Sequence, residues 1–196
     1  MILIIDCGSK NTIYIEECLD EFMDFETIQI HALSNDHTQN KIGIIISGAP
    51  LLITEMDMEI YLEKISFIKQ TSIPVLGICF GHQLLGLSFG AFGSRMKEDR
   101  GTQLIEILEE CPLFDKLPSE IEMIEDHCES ISIPANFKLI ASSDACVNEA
   151  MQHNPLPIFG VQFHPEISGN HGRLVFDNFI RYCTRKEERN QDFQNQ

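Results

Sequence analysis

Short, unbroken apolar runs alternate along this chain with stretches whose apolar side chains recur every three or four residues. Ile2–Ile5, Ile42–Ile46 and Ile73–Ile78 are the unbroken runs, and Thr27–His31 alternates with β-branched residues at two positions. Each reads as a strand. Between them, Ile15, Cys18, Leu19 and Phe22 lie on one helical face over residues 11–23. Met58, Tyr61, Leu62, Ile65 and Ile68 do the same over 57–70, and Gly81–Phe89 reads as a further helix. Strand and helix thus alternate through residue 90. Near-continuous apolar strands between amphipathic helices predict a parallel sheet covered on both faces.

The pattern changes in the middle. Residues 102–108, 121–125 and 129–133 read as strands joined by loops containing proline and acids, forming an antiparallel extension. Further strands are predicted at Phe137–Ala141, Ala145–Met151 and Ile158–Phe163. A closing helix over 171–183 carries Val175, Phe176, Phe179, Ile180 and Cys183 on one stripe. From Arg185 to Gln196 the chain is almost wholly polar and reads as a frayed helix end and tail. The predicted fold is therefore α/β: a doubly wound, mostly parallel sheet flanked by helices, with a small antiparallel extension. One domain is expected over residues 1–184, with a polar tail over 185–196.

Composition narrows the function. Fourteen Lys+Arg against thirty Asp+Glu give a net charge of −16. Such a chain has no general attraction for nucleic-acid phosphates or an anionic membrane face. No apolar run is long enough to span a bilayer. Met1-Ile2-Leu3-Ile4-Ile5-Asp6 lacks a basic leader and reads as a first core strand instead of a signal peptide. The seven cysteines are odd in number and include no C-x-x-C pair. Reduced, mostly buried thiols in a cytoplasmic protein are expected, and no structural zinc spacing is present.

The most informative stretch is Gly77-Ile78-Cys79-Phe80-Gly81-His82-Gln83, directly after a strand and opening a helix. A sharp strand-to-helix turn strains its central residue and crowds the positions two before and two after, so glycine is required there. Cys79 would stand clear of the sheet edge at the positive end of a helix, a place that favours the thiolate. The Phe80 N–H would face an oxygen that becomes negative. A cysteine in a globular chain is otherwise most often a small buried hydrophobe. A thiolate nucleophile needs an imidazole and a group to orient it. His164 follows the predicted strand 158–163, and Pro165 fixes its spacing to Glu166. The plainer alternative is a solvated His and Glu in a strand-ending loop.

These two stretches, with Asp6-Cys7-Gly8-Ser9, Ser47-Gly48-Ala49-Pro50 and Asp126-His127-Cys128-Glu129, resemble the class I glutamine amidotransferases over roughly residues 1–183. Within that family the likeness is greatest to the amidotransferase subunits of GMP synthases, supported by Glu149–His153 and Leu156–Glu166. The resemblance implies a flavodoxin-like core and a Cys79–His164–Glu166 triad that hydrolyses glutamine. It implies an oxyanion hole from the backbone at Phe80 and Ala49. It places Gln83 and the backbone at Cys128 and Glu129 on the substrate. It implies no cofactor and no metal. Ammonia would pass to a separate ATP-pyrophosphatase subunit that aminates XMP. Other readings of the same resemblance are an amidotransferase for anthranilate or aminodeoxychorismate synthase, a stand-alone γ-glutamyl hydrolase, or a non-catalytic module of the fold.

Two positions depart from the family pattern. Ala49 stands where glycine is usual and restricts peptide flips. Glu129 stands where aspartate is usual, one methylene longer. Of the remaining candidates, His82 is expected to pack or be solvated. His127 beside Cys128 lacks a companion ligand pair nearby in sequence. The acids over 106–126, with Asp126 and Glu129, read as a solvated face.

Overall fold

The computed structural model describes residues 1–194, with side chains through residue 189. Among the described residues, nine strands form one sheet. They are β1 (Ile2–Asp6), β2 (Phe25–Gln29), β3 (Gly43–Ile46), β4 (Val75–Ile78), β5 (Gly93–Ile107), β6 (Glu120–Ile131), β7 (Phe137–Ser142), β8 (Ala150–His153) and β9 (Ile158–Val161). Four α-helices cover it: α1 (Thr12–Asp20), α2 (Glu59–Lys64), α3 (Phe80–Ser88) and α4 (Gly169–Gln194). The strand order is β2-β1-β3-β4-β9-β8-β7-β5-β6. The first five are parallel, and β8, β7, β5 and β6 add on in antiparallel fashion.

Alternation along β1 explains the layering. Ile2 and Ile4 face the layer formed with Ile15, Leu19, Val175, Phe176 and Phe179 of α1 and α4. Leu3 and Ile5 face the opposite layer, with Tyr61, Phe80, Leu84 and Leu85 of α2 and α3. β3, β4 and β9 are buried at every residue, as strands sandwiched between two helical layers must be. The chain leaves β1 toward β2 on one side and returns to β3 on the other. The crevice of such an order opens beyond the C-terminal ends of the strands. There lie the loop after Asp6, the loop 47–54, the turn at Cys79 and the segment 162–168.

The sheet extension is longer than predicted. β5 and β6 form a ribbon of fifteen and twelve residues, paired from Gly93↔Ile131 to Glu106↔Glu120 with a bulge between Arg95 and Asp99. Residues 126–128 continue β6 without a break. The acids of β6 also differ from expectation. Ile121, Met123, Glu125, His127, Glu129 and Ile131 are all buried, because the two-residue period puts them on the inward face. Glu125 and Glu129 therefore belong to the interior and not to a solvated face.

Three other elements differ. The predicted strand 145–151 reduces to β8, because the Ser143 hydroxyl accepts the N–H groups of Ala145 and Cys146 and bends the chain. The helix predicted over 57–70 divides into α2 and a 3₁₀ turn over Ser66–Gln70. α4 continues to Gln194 through the polar stretch, whose Lys, Arg, Glu and Gln are strong helix formers. Among the described residues no helix is long and apolar enough to cross a membrane. All seven cysteines are free thiols.

Candidate active site

Cys79 sits at the junction of β4 and α3 with φ 50° and ψ −105°, a backbone region that L residues rarely adopt. The turn is held by sequence. A Cβ on Gly77 would lie 2.6 Å from the backbone of Gly81, and one on Gly81 would penetrate the carbonyl of Ile46. Only glycine fits both positions. The Cys79 N–H donates to Val161 O at 2.8 Å, and its carbonyl accepts from Gln83 N at 3.0 Å. The turn at Cys79 is thereby fastened to β9 and to α3. Phe80 N–H belongs to the first turn of α3, where helix donors lack internal partners.

His164 lies beyond the end of β9, which stops at Val161, two residues short of the predicted strand. Its backbone N–H donates to Ile124 O at 2.8 Å, and its carbonyl accepts from the Ser168 hydroxyl at 2.6 Å. Pro165 opens a 3₁₀ turn that brings Glu166 back under the ring. His164 Nδ1 donates to Glu166 Oε1 at 2.7 Å, in a pair almost wholly out of solvent. The imidazole shares the lining of one cavity with Cys79. Burial pulls the His164 pKa down. The hydrogen bonds to Cys79 and Glu166, and the charges of both, outweigh it and hold the imidazole protonated up to about 11. The three candidate catalytic side chains are therefore gathered at one place, Cys79 and His164 on the lining of the same cavity and Glu166 bonded to the imidazole.

The cavity has a volume of about 370 Å³, and Ala49, Phe80, Gln83, Cys128 and Glu129 all border it. That volume suits an amino-acid-sized ligand. Gly48 packs on the site so closely that a Cβ there would lie 3.3 Å from His164 Cε1. Gln83 is less available than expected: its amide nitrogen donates to Glu129 O at 2.9 Å and to Gln162 Oε1 at 3.1 Å. Its amide oxygen is the atom left for a ligand. The Glu129 carboxylate is also committed. It accepts from Ile53 N at 2.5 Å, from Thr54 N at 3.3 Å and from the Thr54 hydroxyl. Its extra methylene thus reaches the loop that carries Ala49. A larger groove of about 1180 Å³ between residues 107–119 and α4 contains none of these residues.

Sequence reasoning missed Gln162, whose Nε2 lies 3.6 Å from Cys79 Sγ as a donor to the sulfur. Its position, two before His164, was the signal that could have found it. It also missed the scaffold at Asp6, whose carboxylate accepts from Gly8 N at 2.9 Å and from the Thr12 hydroxyl at 2.8 Å, ordering the loop beside the cavity. His82 is fully buried against Gly160, where a Cβ would come within 2.5 Å of Nδ1. Desolvation lowers its pKa to about 3, so it is a neutral packing residue.

Comparison with known proteins bears on the chain's family and fold. The family model for class-I glutamine amidotransferases matches residues 3–182. A protein from Pyrococcus abyssi, named as a subunit of glutamine-hydrolyzing GMP synthase, is 40% identical over 154 residues, covering 77% of this chain and 80% of that protein. The protein of the same name from Pyrococcus furiosus is 41% identical over 144 residues, 72% of this chain and 75% of that one. The crystal structure of a Thermoplasma acidophilum protein described as a GMP synthase subunit superposes with a TM-score of 0.89 at 31% identity, covering 97% of this chain and 96% of that chain. The chain belongs to the class-I glutamine amidotransferase family.

Proposed function

We propose that this chain is the glutaminase subunit of a two-part GMP synthase. The observation that carries the reading is that Cys79 and His164 line one cavity of about 370 Å³, with His164 Nδ1 donating to Glu166 Oε1 at 2.7 Å behind them. Cys79 Sγ attacks the side-chain amide carbon of glutamine. The resulting oxyanion is met by the N–H groups of Phe80 and Ala49. His164 gives its proton to the departing nitrogen, so ammonia leaves and a γ-glutamyl thioester remains. His164 then takes a proton from water as the water oxygen attacks the thioester. Glutamate departs, and the sulfur and imidazole regain their starting states. Glu166 holds the Nδ1–H and stabilises the imidazolium throughout. The backbone at Cys128 and Glu129 receives the amino-acid head group, and the Gln83 amide oxygen faces it. Free ammonia has no use to such an enzyme. The release is therefore coupled to a separate ATP-pyrophosphatase subunit that aminates XMP, in keeping with the names borne by relatives that this chain matches over most of their length.

The test has two arms. A glutamine-analogue affinity label followed by mass spectrometry is expected to modify Cys79 alone, and modification elsewhere would overturn the chemistry. Mixing the chain with an ATP-pyrophosphatase subunit is expected to permit glutamine-dependent XMP amination. Stimulation only by an anthranilate or aminodeoxychorismate synthase would overturn the acceptor assignment while leaving the chemistry intact.

A further inference from the structure

A second cluster of chemistry-bearing side chains lies inside the sheet extension, and the glutaminase reading makes no use of it. His127 and Glu125 are on the inward face of β6, while Cys146 and Glu149 come from the bend before β8. All four are buried: 8% exposed for His127, 3% for Cys146, and none for Glu125 and Glu149. One ligand atom each from His127, Cys146 and Glu149 lies within 4.8 Å of the others. Glu125 Oε2 is 3.2 Å from His127 Nε2, out of line for a hydrogen bond. His127 Nε2, both oxygens of Glu125, Oε2 of Glu149 and Oδ2 of the neighbouring Asp99 are buried with no hydrogen-bond partner among the described residues.

The tautomer of His127 sharpens the point. Its Nδ1 lies 3.0 Å from the carbonyl of Glu129, so Nδ1 carries the proton and donates it. Nε2 of the neutral ring then presents a lone pair toward carboxylate oxygens. Acceptors facing acceptors out of water demand a cation or shared protons. Ligating histidines commonly give their second ring N–H to a carbonyl in this way. Ser143 donates to Glu149 Oε1 at 2.6 Å, which orients one proposed ligand through its other oxygen.

We propose that His127 Nε2, Cys146 Sγ and Glu149, with Glu125 as the fourth donor, form a zinc-binding site. Imidazole, thiolate and carboxylate together are a borderline-soft donor set that suits this ion. Three atoms at most 4.8 Å apart always leave some point within about 2.8 Å of all of them, so a closure of about 0.5–0.8 Å reaches zinc's ligand distances. A surface recess of about 480 Å³ is lined by Asp99, Gln103, Asp144 and Ala145, the last of these next to Cys146 in the chain. The ion ties the 143–149 bend to β6 and, through His127, fixes the Glu129 carbonyl at the edge of the cavity. Sequence spacing concealed this set, because its two pairs, Glu125 with His127 and Cys146 with Glu149, lie about twenty residues apart on separate elements.

The whole chain is stripped with a chelator and loaded with one equivalent of Co²⁺ or Zn²⁺. One retained ion per chain, a near-ultraviolet thiolate-to-cobalt band, and a zinc X-ray absorption shell with one sulfur among nitrogen and oxygen are expected. Cys146→Ser abolishes the band, and Cys128→Ser keeps it. If Cys146→Ser does not fold, the absorption shell of the unsubstituted protein decides. Loss of the ion on gel filtration, or a shell with no sulfur or several, overturns the proposal. So does a protonated-carboxyl infrared stretch, lost in Glu149→Gln, in a chain that takes up no metal, which would assign the cluster to shared protons.

Discussion

The carboxylate of Glu129 accepts the backbone N–H of Ile53 at 2.5 Å, across seventy-six residues of sequence. This contact ties β6, whose edge borders the cavity, to the loop that presents Ala49. The loop is thus held by the side chain of a residue whose backbone carbonyl also accepts from Gln83.

Shortening that side chain should free the loop. Charge-assisted hydrogen bonds to a buried carboxylate contribute about 1.5–3 kcal/mol each. Glu129→Asp withdraws the carboxylate from Ile53 and Thr54. Amide exchange at those two residues is expected to accelerate at least tenfold, with kcat falling and little change in exchange at β1. Unchanged protection at Ile53 would show that the loop is held by other means.

Removing the sulfur of Cys79 separates chemistry from stability. Cys79→Ala is expected to abolish glutamine hydrolysis while the thermal midpoint barely moves. Cys79→Gly deletes the same sulfur but also relieves the positive φ of 50°. Its midpoint should exceed that of Cys79→Ala, because strain of this kind costs about 1–3 kcal/mol. Residual hydrolysis in either variant would remove Cys79 from the mechanism.

His164 makes the site sensitive to pH in a definite direction. Its folded pKa, about 11, lies above the ordinary imidazole value. The stability it contributes is therefore fully present below about pH 6.5 and is lost as pH rises toward 11. Histidine-labelled NMR is expected to find an imidazolium at pH 8. In Cys79→Ala the sulfur no longer offsets the desolvation that pulls the value down, so the midpoint should drop. A His164 midpoint that ignores the substitution would break the coupling between the two residues.

How much of this was visible in the amino acids depends on the range of the forces involved. The strands β1, β3, β4 and β9 were legible because burial on both faces leaves an unbroken apolar run. The turn at Cys79 was legible because its crowding admits only glycine at 77 and 81. The inward acids of β6 were not, since Glu125, His127 and Glu129 interrupt an apolar alternation that Ile121, Met123 and Ile131 otherwise obey. Their partners come from the 47–54 loop and the 143–149 bend, which no local pattern joins to them. The Ser143 turn likewise overrode the apolar residues that suggested a longer β8.

The net charge of −16 bears on the proposed partner. Acidic chains associate fastest with basic surfaces, and the attraction between exposed charges fades beyond a Debye length of about 10 Å at 0.1 M salt. If the ATP-pyrophosphatase subunit offers a basic face, association with this chain should slow by tenfold or more between about 50 and 500 mM salt, with a smaller change in dissociation. Stopped-flow or surface-binding kinetics at several salt concentrations would measure this. An association rate independent of salt would mean that the docking face is neutral, and that the acidic surface of this chain lies elsewhere in the complex.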